Sequence, residues 1–249
     1  MNRFVQALIV LVSLPIMLLG VAVADTKVSG ANSVGAWAPS GRIQFEVLRG
    51  DGGLKLGEAE HTWQHNGRDY EMSLVLETTG LAAMLYSFRY EQISRGRVVG
   101  GRLVPALFSV DQQGKEPESA SFNWPAGEVV LDRRGRNRAH AVKPGDQDVL
   151  SVWHYFALLG DDAPPDALGV VSNRAATETA IAVGADERIS TQFGEFQTKR
   201  VTLRARSGRL TIELWLSPAH GMLPLRVLMT DDKGEVLDQR ALAIDIPPR

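Results

Sequence analysis

Between Phe193 and Ile246 apolar and polar residues alternate in four runs. Val201, Leu203 and Ala205 alternate with Thr202, Arg204 and Arg206, and Ser207-Gly208 turns the chain. Leu210, Ile212, Leu214 and Leu216 form a second apolar row, and Pro218 to Gly221 turns again. Leu225, Val227 and Met229 follow; Asp232-Lys233-Gly234 then leads to Leu242, Ile244 and Ile246. Period-2 alternation broken by turn residues predicts a four-stranded antiparallel meander with one buried face. Trp215 departs from it, falling opposite Leu214 and Leu216 on the face of Thr211 and Glu213. Either another segment covers that face, or Trp215 is exposed for a contact.

Upstream, Ile43, Phe45 and Val47 open the folded part, and Leu54 to His65 carries Ala59, His61 and Trp63 on one face, with Gly57 as an expected bulge. Asn66-Gly67 is the strongest hairpin signal, and Tyr70, Met72, Leu74 and Leu76 form the returning strand. Gly80 to Leu85 reads as one helical turn or a wide connection. Tyr86, Phe88 and Tyr90 form an aromatic row, Gly96 to Leu107 a further hairpin, and Ala120–Trp124, Val129–Asp132 and Arg138–Val142 shorter strands. One helix is expected: Asp148 as N-cap, then Val149, Val152, Trp153, Phe156 and Leu159 at helical spacing, stopped by Gly160. Ala180–Val183 and Arg188–Thr191 lead into the meander. About ten strands cannot stay flat. The expected class is mainly β: a strongly curved antiparallel sheet, closed or half-open and barrel-like, with one main α-helix over its mouth.

The N-terminus changes the picture of where this domain works. Arg3 precedes an apolar run from Val5 to Val23, and Ala22-Val23-Ala24 is a small-x-small site. Residues 1–24 therefore read as a cleavable secretory signal cut after Ala24, and the mature protein is expected in the periplasm. Residues 25–41 read as a flexible leader in which Trp37 either tucks onto the barrel or stands in solvent, and residues 42–249 as a single β-rich domain. The absence of cysteine excludes thiol catalysis, disulfides, Cys-bound metals and a lipoprotein anchor. A net charge of -2 gives no basic footprint for nucleic acid.

Candidate chemistry is sparse. His61 and His65 share a strand face about 13 Å apart, too far for one metal, and read as ordinary strand residues. His154 reads as a helix-surface histidine, and His220 as a solvated turn residue. Ser151 lies three residues before His154 on one helix face, without room for a triad. Glu58 with Glu60, Glu71 with Glu77, and Asp146 with Asp148 are the acidic pairs, expected on solvated faces. Arg133, Arg134, Arg136 and Arg138 form a basic hairpin tip, a candidate anion site against a solvated turn. The aromatic set Trp63, Tyr70, Tyr86, Phe88, Tyr90, Trp153 and Trp215, joined by Trp124, either lines a cavity or fills the core. No cofactor and no metal is expected.

The order and spacing of Gly57, Leu103-Val104-Pro105, the Asp148–Leu159 helix, Phe193-Gly194-Glu195-Phe196, Ile212–Ser217, Leu223-Pro224-Leu225-Arg226 and Asp232-Lys233-Gly234 carry a likeness. Over residues 42–246 the chain resembles the bacterial exported proteins of the domain-of-unknown-function 3108 family. The resemblance implies an exported β-rich fold and transfers no catalytic residue. The expectation is a non-enzymatic periplasmic barrel-like protein that binds an apolar or envelope-derived ligand (lipid or glycan) or an envelope protein. The alternative is a hydrolase or lyase on envelope polysaccharide, which needs paired acids beside aromatics in one groove.

Overall fold

A computed structural model describes residues 37–85, 87–160 and 162–247. The expected signal segment, residues 25–36 of the leader and Tyr86 lie outside the described residues. The described residues form one sheet of fifteen strands: β1 (Ser40–Arg49), β2 (Leu54–His65), β3 (Asp69–Thr78), β4 (Arg89–Val99), β5 (Arg102–Gln112), β6 (Glu118–Asn123), β7 (Glu128–Arg133), β8 (Arg136–Ala141), β9 (Gln147–Asp148), β10 (Ala167–Val171), β11 (Ala176–Thr191), β12 (Gly194–Ala205), β13 (Leu210–Ser217), β14 (Leu223–Asp231) and β15 (Val236–Asp245). Two short helices interrupt it, α1 (Gly80–Leu85) and α2 (Val152–Tyr155), the latter continued by a 3-10 turn over Phe156–Leu158.

The strand order runs β8 to β1, then β15 back to β9. The chain thus starts mid-sheet, winds out to one edge, crosses, and winds home to pair β15 with β1. Every pairing is antiparallel except β9 with β10. The crossing fixes the curvature. Ala141 ends one edge strand and Gln147 begins the other, and that length of chain spans about 21 Å at most. Fifteen strands laid flat would separate the edges by about 67 Å. The sheet must therefore curl until its ends nearly meet.

The β9 edge is joined by side chains, not by a strand ladder, to the inner strands β4, β5 and β6, and β8 lies beyond this seam. Gln147 Nε2 donates to the Leu103 carbonyl of β5 at 3.1 Å, and Ser94 Oγ of β4 donates to Asp148 Oδ2 at 2.6 Å. From the β10–β11 turn, Asn173 Nδ2 donates to Glu118 Oε2 of β6 at 2.5 Å, and Arg174 pairs with the same carboxylate at 3.6 Å. Burial lowers the Arg174 pKa to about 10 despite the Glu118 charge, with Arg133 adding repulsion.

Inside the curl lies the helical segment. Leu150, Val152, Trp153 and Leu158 are fully or almost fully buried, and every residue from Val149 to Leu159 except Tyr155 is buried. A helix apolar on all sides is a core helix. It is shorter than its sequence pattern, because the first turn is built by Asp148 instead. Asp148 Oδ1 accepts the Leu150 and Ser151 amides at 2.9 and 2.8 Å. This helical segment is surrounded by Ile43, Phe45, Met72, Phe108, Leu131, Leu203, Ile212 and Leu214 from across the sheet.

The meander from β12 to β14 and the Asn66-Gly67 hairpin follow the expected alternation. In β15 the buried residues are Leu237 to Gln239 and Ala241; Leu242 and Ile244 are only half-buried beside a register shift opposite Gln44 and Phe45, and Ile246 lies beyond the strand's end. Gly57 sits beside a register shift between Val47 and Leu48, and a Cβ there would meet the Glu77 carbonyl at 1.9 Å. The extra strands relative to the sequence pattern are chiefly β9 and β10, and β11 joins the expected Ala180–Val183 and Arg188–Thr191 segments into one long strand. β9 has two residues, and β11 is exposed on both faces along much of its length, so neither shows a period-2 signature.

The seam makes a stability prediction. Glu118 and Arg174 side chains are each 7% exposed, so Glu118→Gln strands a buried guanidinium. Urea denaturation should show a loss of about 3 kcal/mol, with much of it recovered by Arg174→Met in the same chain. A loss under about 1 kcal/mol would show that the seam does not depend on this pair.

Candidate functional site

One group of buried polar side chains is built on His61 and His154. His61 comes from β2, whose inward row continues through Trp63 to His65. His154 comes from the central helix and is fully buried, not on a helix surface as its sequence position implied. Their Nε2 atoms are 2.7 Å apart. His61 Nδ1 lies 2.7 Å from the Ser73 carbonyl, which can only accept. Trp37 Nε1 lies 2.9 Å from His154 Nδ1 and can only donate.

These two ends fix every proton between them. Trp37 donates to His154 Nδ1; His154 Nε2–H donates to His61 Nε2; His61 Nδ1–H donates to Ser73. Both imidazoles are neutral, in opposite tautomers. Protonating either places two N–H groups against each other or removes the acceptor for Trp37. Desolvation acts the same way: burial lowers the His61 pKa to about 4, and burial with added repulsion from His61 and His65 holds His154 well below its ordinary value.

The rings around the pair are packed, not open. Trp63 lies 5.0 Å from His154 and 5.8 Å from His61, and Trp153 meets His61 edge-on at 5.2 Å. Residues 37 and 38 cover this cluster just before β1. The Trp37 ring stacks on His65 at 4.1 Å, and Trp63 Nε1 donates to the Ala38 carbonyl at 3.0 Å. Trp37 is 3% exposed, so the end of the expected flexible leader is part of the core.

A second buried network lies along the helix entry. Ser94 gives its one proton to Asp148, so the Tyr70 hydroxyl donates to Ser94 Oγ at 3.2 Å. Burial raises the Asp148 pKa, opposed by Ser94 and the two helix-entry amides, and raises Tyr70 with help from the Asp148 charge. Ser151 Oγ accepts the Asp148 amide at 3.0 Å. Because both His154 nitrogens are committed to Trp37 and His61, Ser151 and His154 form no nucleophile–base pair here.

The aromatic candidates do not form one row. Trp63 and Trp153 enclose the histidines, and Tyr70 belongs to the Asp148 network. Phe88 stacks on Tyr90 at 6.3 Å, and the Tyr90 hydroxyl accepts from Gln92 at 3.0 Å. Trp124, in the turn after β6, donates to the Pro105 carbonyl at 2.6 Å. Trp215 is on the outer face yet only 4% exposed. The Arg200 and Arg226 guanidinium groups lie 5.1 and 4.6 Å from its ring centre, and its Nε1 donates to Glu187 at 2.8 Å. Neighbouring strands' side chains thus cover it.

Nor do the arginines converge. Arg133 approaches Glu118 at 3.6 Å, while Arg134 forms the turn and Arg136 and Arg138 lie exposed on β8. His220 is partly buried, bonded to Ser217 at 2.9 Å and packed on Phe196, so it is not a freely solvated turn residue. Glu58, Glu60, Glu71 and Glu77 lie on the outer face, paired to Lys55, Arg42, Arg95 and Arg89. Among the described residues no group of three or more acids and histidines is placed to hold a metal ion, and no helix is long and apolar enough to cross a membrane.

The neutral pair sets the acid response. Its folded-state pKa values lie below the ordinary 6.5, so the unfolded chain binds more protons below that pH. The pair's contribution is complete above about pH 6.5 and is lost as pH falls toward 4. His61 alone should cost about 3 kcal/mol by pH 4. The urea midpoint should fall steeply over this window, less steeply in His154→Met; equal slopes in the two proteins would contradict the assignment.

Comparison with known proteins adds the lineage. Comparison with curated proteins finds no match. Among solved structures, the chain is similar to the beta-barrel-like protein of domain of unknown function DUF1849 from Brucella abortus, with a TM-score of 0.60 and 11% identity over 85% of this chain and 99% of that one. That likeness is one of fold. The family model for the protein of unknown function DUF3108 matches residues 42–239. This match spans the strand and the helix that carry the histidine pair and both sides of the seam, and the chain belongs to the DUF3108 family.

Proposed function

We propose that this is an exported, periplasmic, non-catalytic binding protein whose ligand is apolar, envelope-derived and carries a carbonyl group. The observation that supports the reading is the recess held shut by residues 37 and 38. There His154 Nδ1 accepts one proton, Trp63 Nε1 offers one, and His65 offers a stacking face; Trp37 and Ala38 use all three. Two residues held on the core by three such contacts, outside the strand ladders, are easier to displace than a paired strand. An acyl chain with an amide or ester can take its place, the carbonyl on Trp63 and the chain beside Trp153. The space at Tyr90 and Arg174 is about 10 Å³, room for one water and too small for such a ligand.

Two measurements test the reading. Mass spectrometry of native extracts should find more co-purified lipid on Trp37→Gly than on the parent protein; a folded variant that carries none would contradict it. N-terminal sequencing of protein released from the cell envelope should begin at Asp25. An intact residue 1 in a cytoplasmic fraction would remove the export part of the proposal.

A further inference from the structure

The two edges of the sheet are unlike. β9 is two buried residues laid against β5 through Gln147. β8 is six residues, five of them exposed and the sixth, His140, half-buried. Its hydrogen-bonding phase follows from the turn before it. Arg134 and Gly135 have φ of 58° and 72°, so a two-residue turn closes on the Arg133–Arg136 pair. Val142 N donates back to Gly127 in the same phase. Alternation then directs the N–H and C=O groups of Asn137, Ala139 and Ala141 away from β7. These three residues have small side chains or a short amide, and they leave the strand's edge unobstructed.

The charge on this edge has one sign. From Arg133 to Lys143 there are five basic residues, one histidine and no acid. Arg134, Arg136 and Arg138 have no ion pair among the described residues. Arg136, Arg138 and His140 project from one face of the strand, in register with Arg133, Leu131 and Val129 of β7. An edge of this kind repels a second copy of itself, which guards against edge-to-edge aggregation. It attracts a strand of opposite charge, whose alternate residues fall opposite Arg136 and Arg138.

We propose that β8 is a docking edge for an acidic, extended segment of a partner protein, added as a sixteenth strand. The main-chain groups of Asn137, Ala139 and Ala141 supply the pairing, and Arg136 and Arg138 select a partner with Asp or Glu at every second position. The site is separate from the Trp37 recess and does not depend on it.

The test uses a capped synthetic peptide alternating Glu and Thr, titrated into the full-length mature protein, with amide exchange read at Asn137, Ala139 and Ala141. Binding with added protection at these three amides, weakened at least about tenfold by Arg136→Glu with Arg138→Glu and by raised salt, is the expected result. Ala139→Pro leaves the β7 ladder intact but removes one outward N–H, and should also abolish protection. Binding that is lost with the charge reversal yet unaffected by Ala139→Pro would be adsorption of a polyanion and would overturn the proposal. So would equal binding of a Lys–Thr peptide, self-association through β8 in place of peptide binding, or no binding by the folded protein.

Discussion

A sheet whose ends never pair with each other must be held curled by something other than its ladders. Here the crossing from β8 to β9 brings the far edge back over the first half of the sheet, and a small set of side chains holds it against β4, β5 and β6. Gln147, Ser94 with Asp148, and Glu118 with Asn173 and Arg174 bridge the gap. Each is buried and each satisfies a group that would otherwise be costly to bury. The cost is partly retained: Gln147 Oε1 and the Arg174 Nε have no hydrogen-bond partner among the described residues. Buried polar groups of this kind contribute more to choosing one register than to net stability.

The same constraint shapes the interior. A curled sheet encloses space, and this one fills it with the helical segment and with aromatic rings that carry polar atoms. Those atoms then need partners. The chain Trp37 to His154 to His61 to Ser73 is one solution, complete only when both imidazoles are neutral. Structure and possible function meet at its open end, because Trp37 belongs to the segment that precedes the sheet. The outer face solves its own problem differently: the Trp215 ring is covered by Arg200 and Arg226, whose charges remain paired at the surface.

Much of the architecture is legible in the sequence, because the C-terminal meander is half-buried and half-buried strands alternate. The alternation disappears where both faces are wet, as in β11, or where both are dry, as in the helical segment, and there the element boundaries move. The residues of the candidate site are harder to read. His154 follows Trp153 in an apolar run, and a buried histidine looks no different in sequence from an exposed one until its partner is known. That partner, His61, is on a strand 93 residues away. Trp37 was the available signal, a lone large ring in a small, polar leader. Trp215 was visible as an anomaly, but its cover comes from arginines on two neighbouring strands.

The account rests most on the neutral, oppositely oriented histidine pair. Nitrogen-15 spectra of the labelled protein at neutral pH separate the two tautomers and the imidazolium form directly. The account predicts His61 with its proton on Nδ1 and His154 with its proton on Nε2, neither ring charged. A charged ring at either position, or the same tautomer at both, would contradict it.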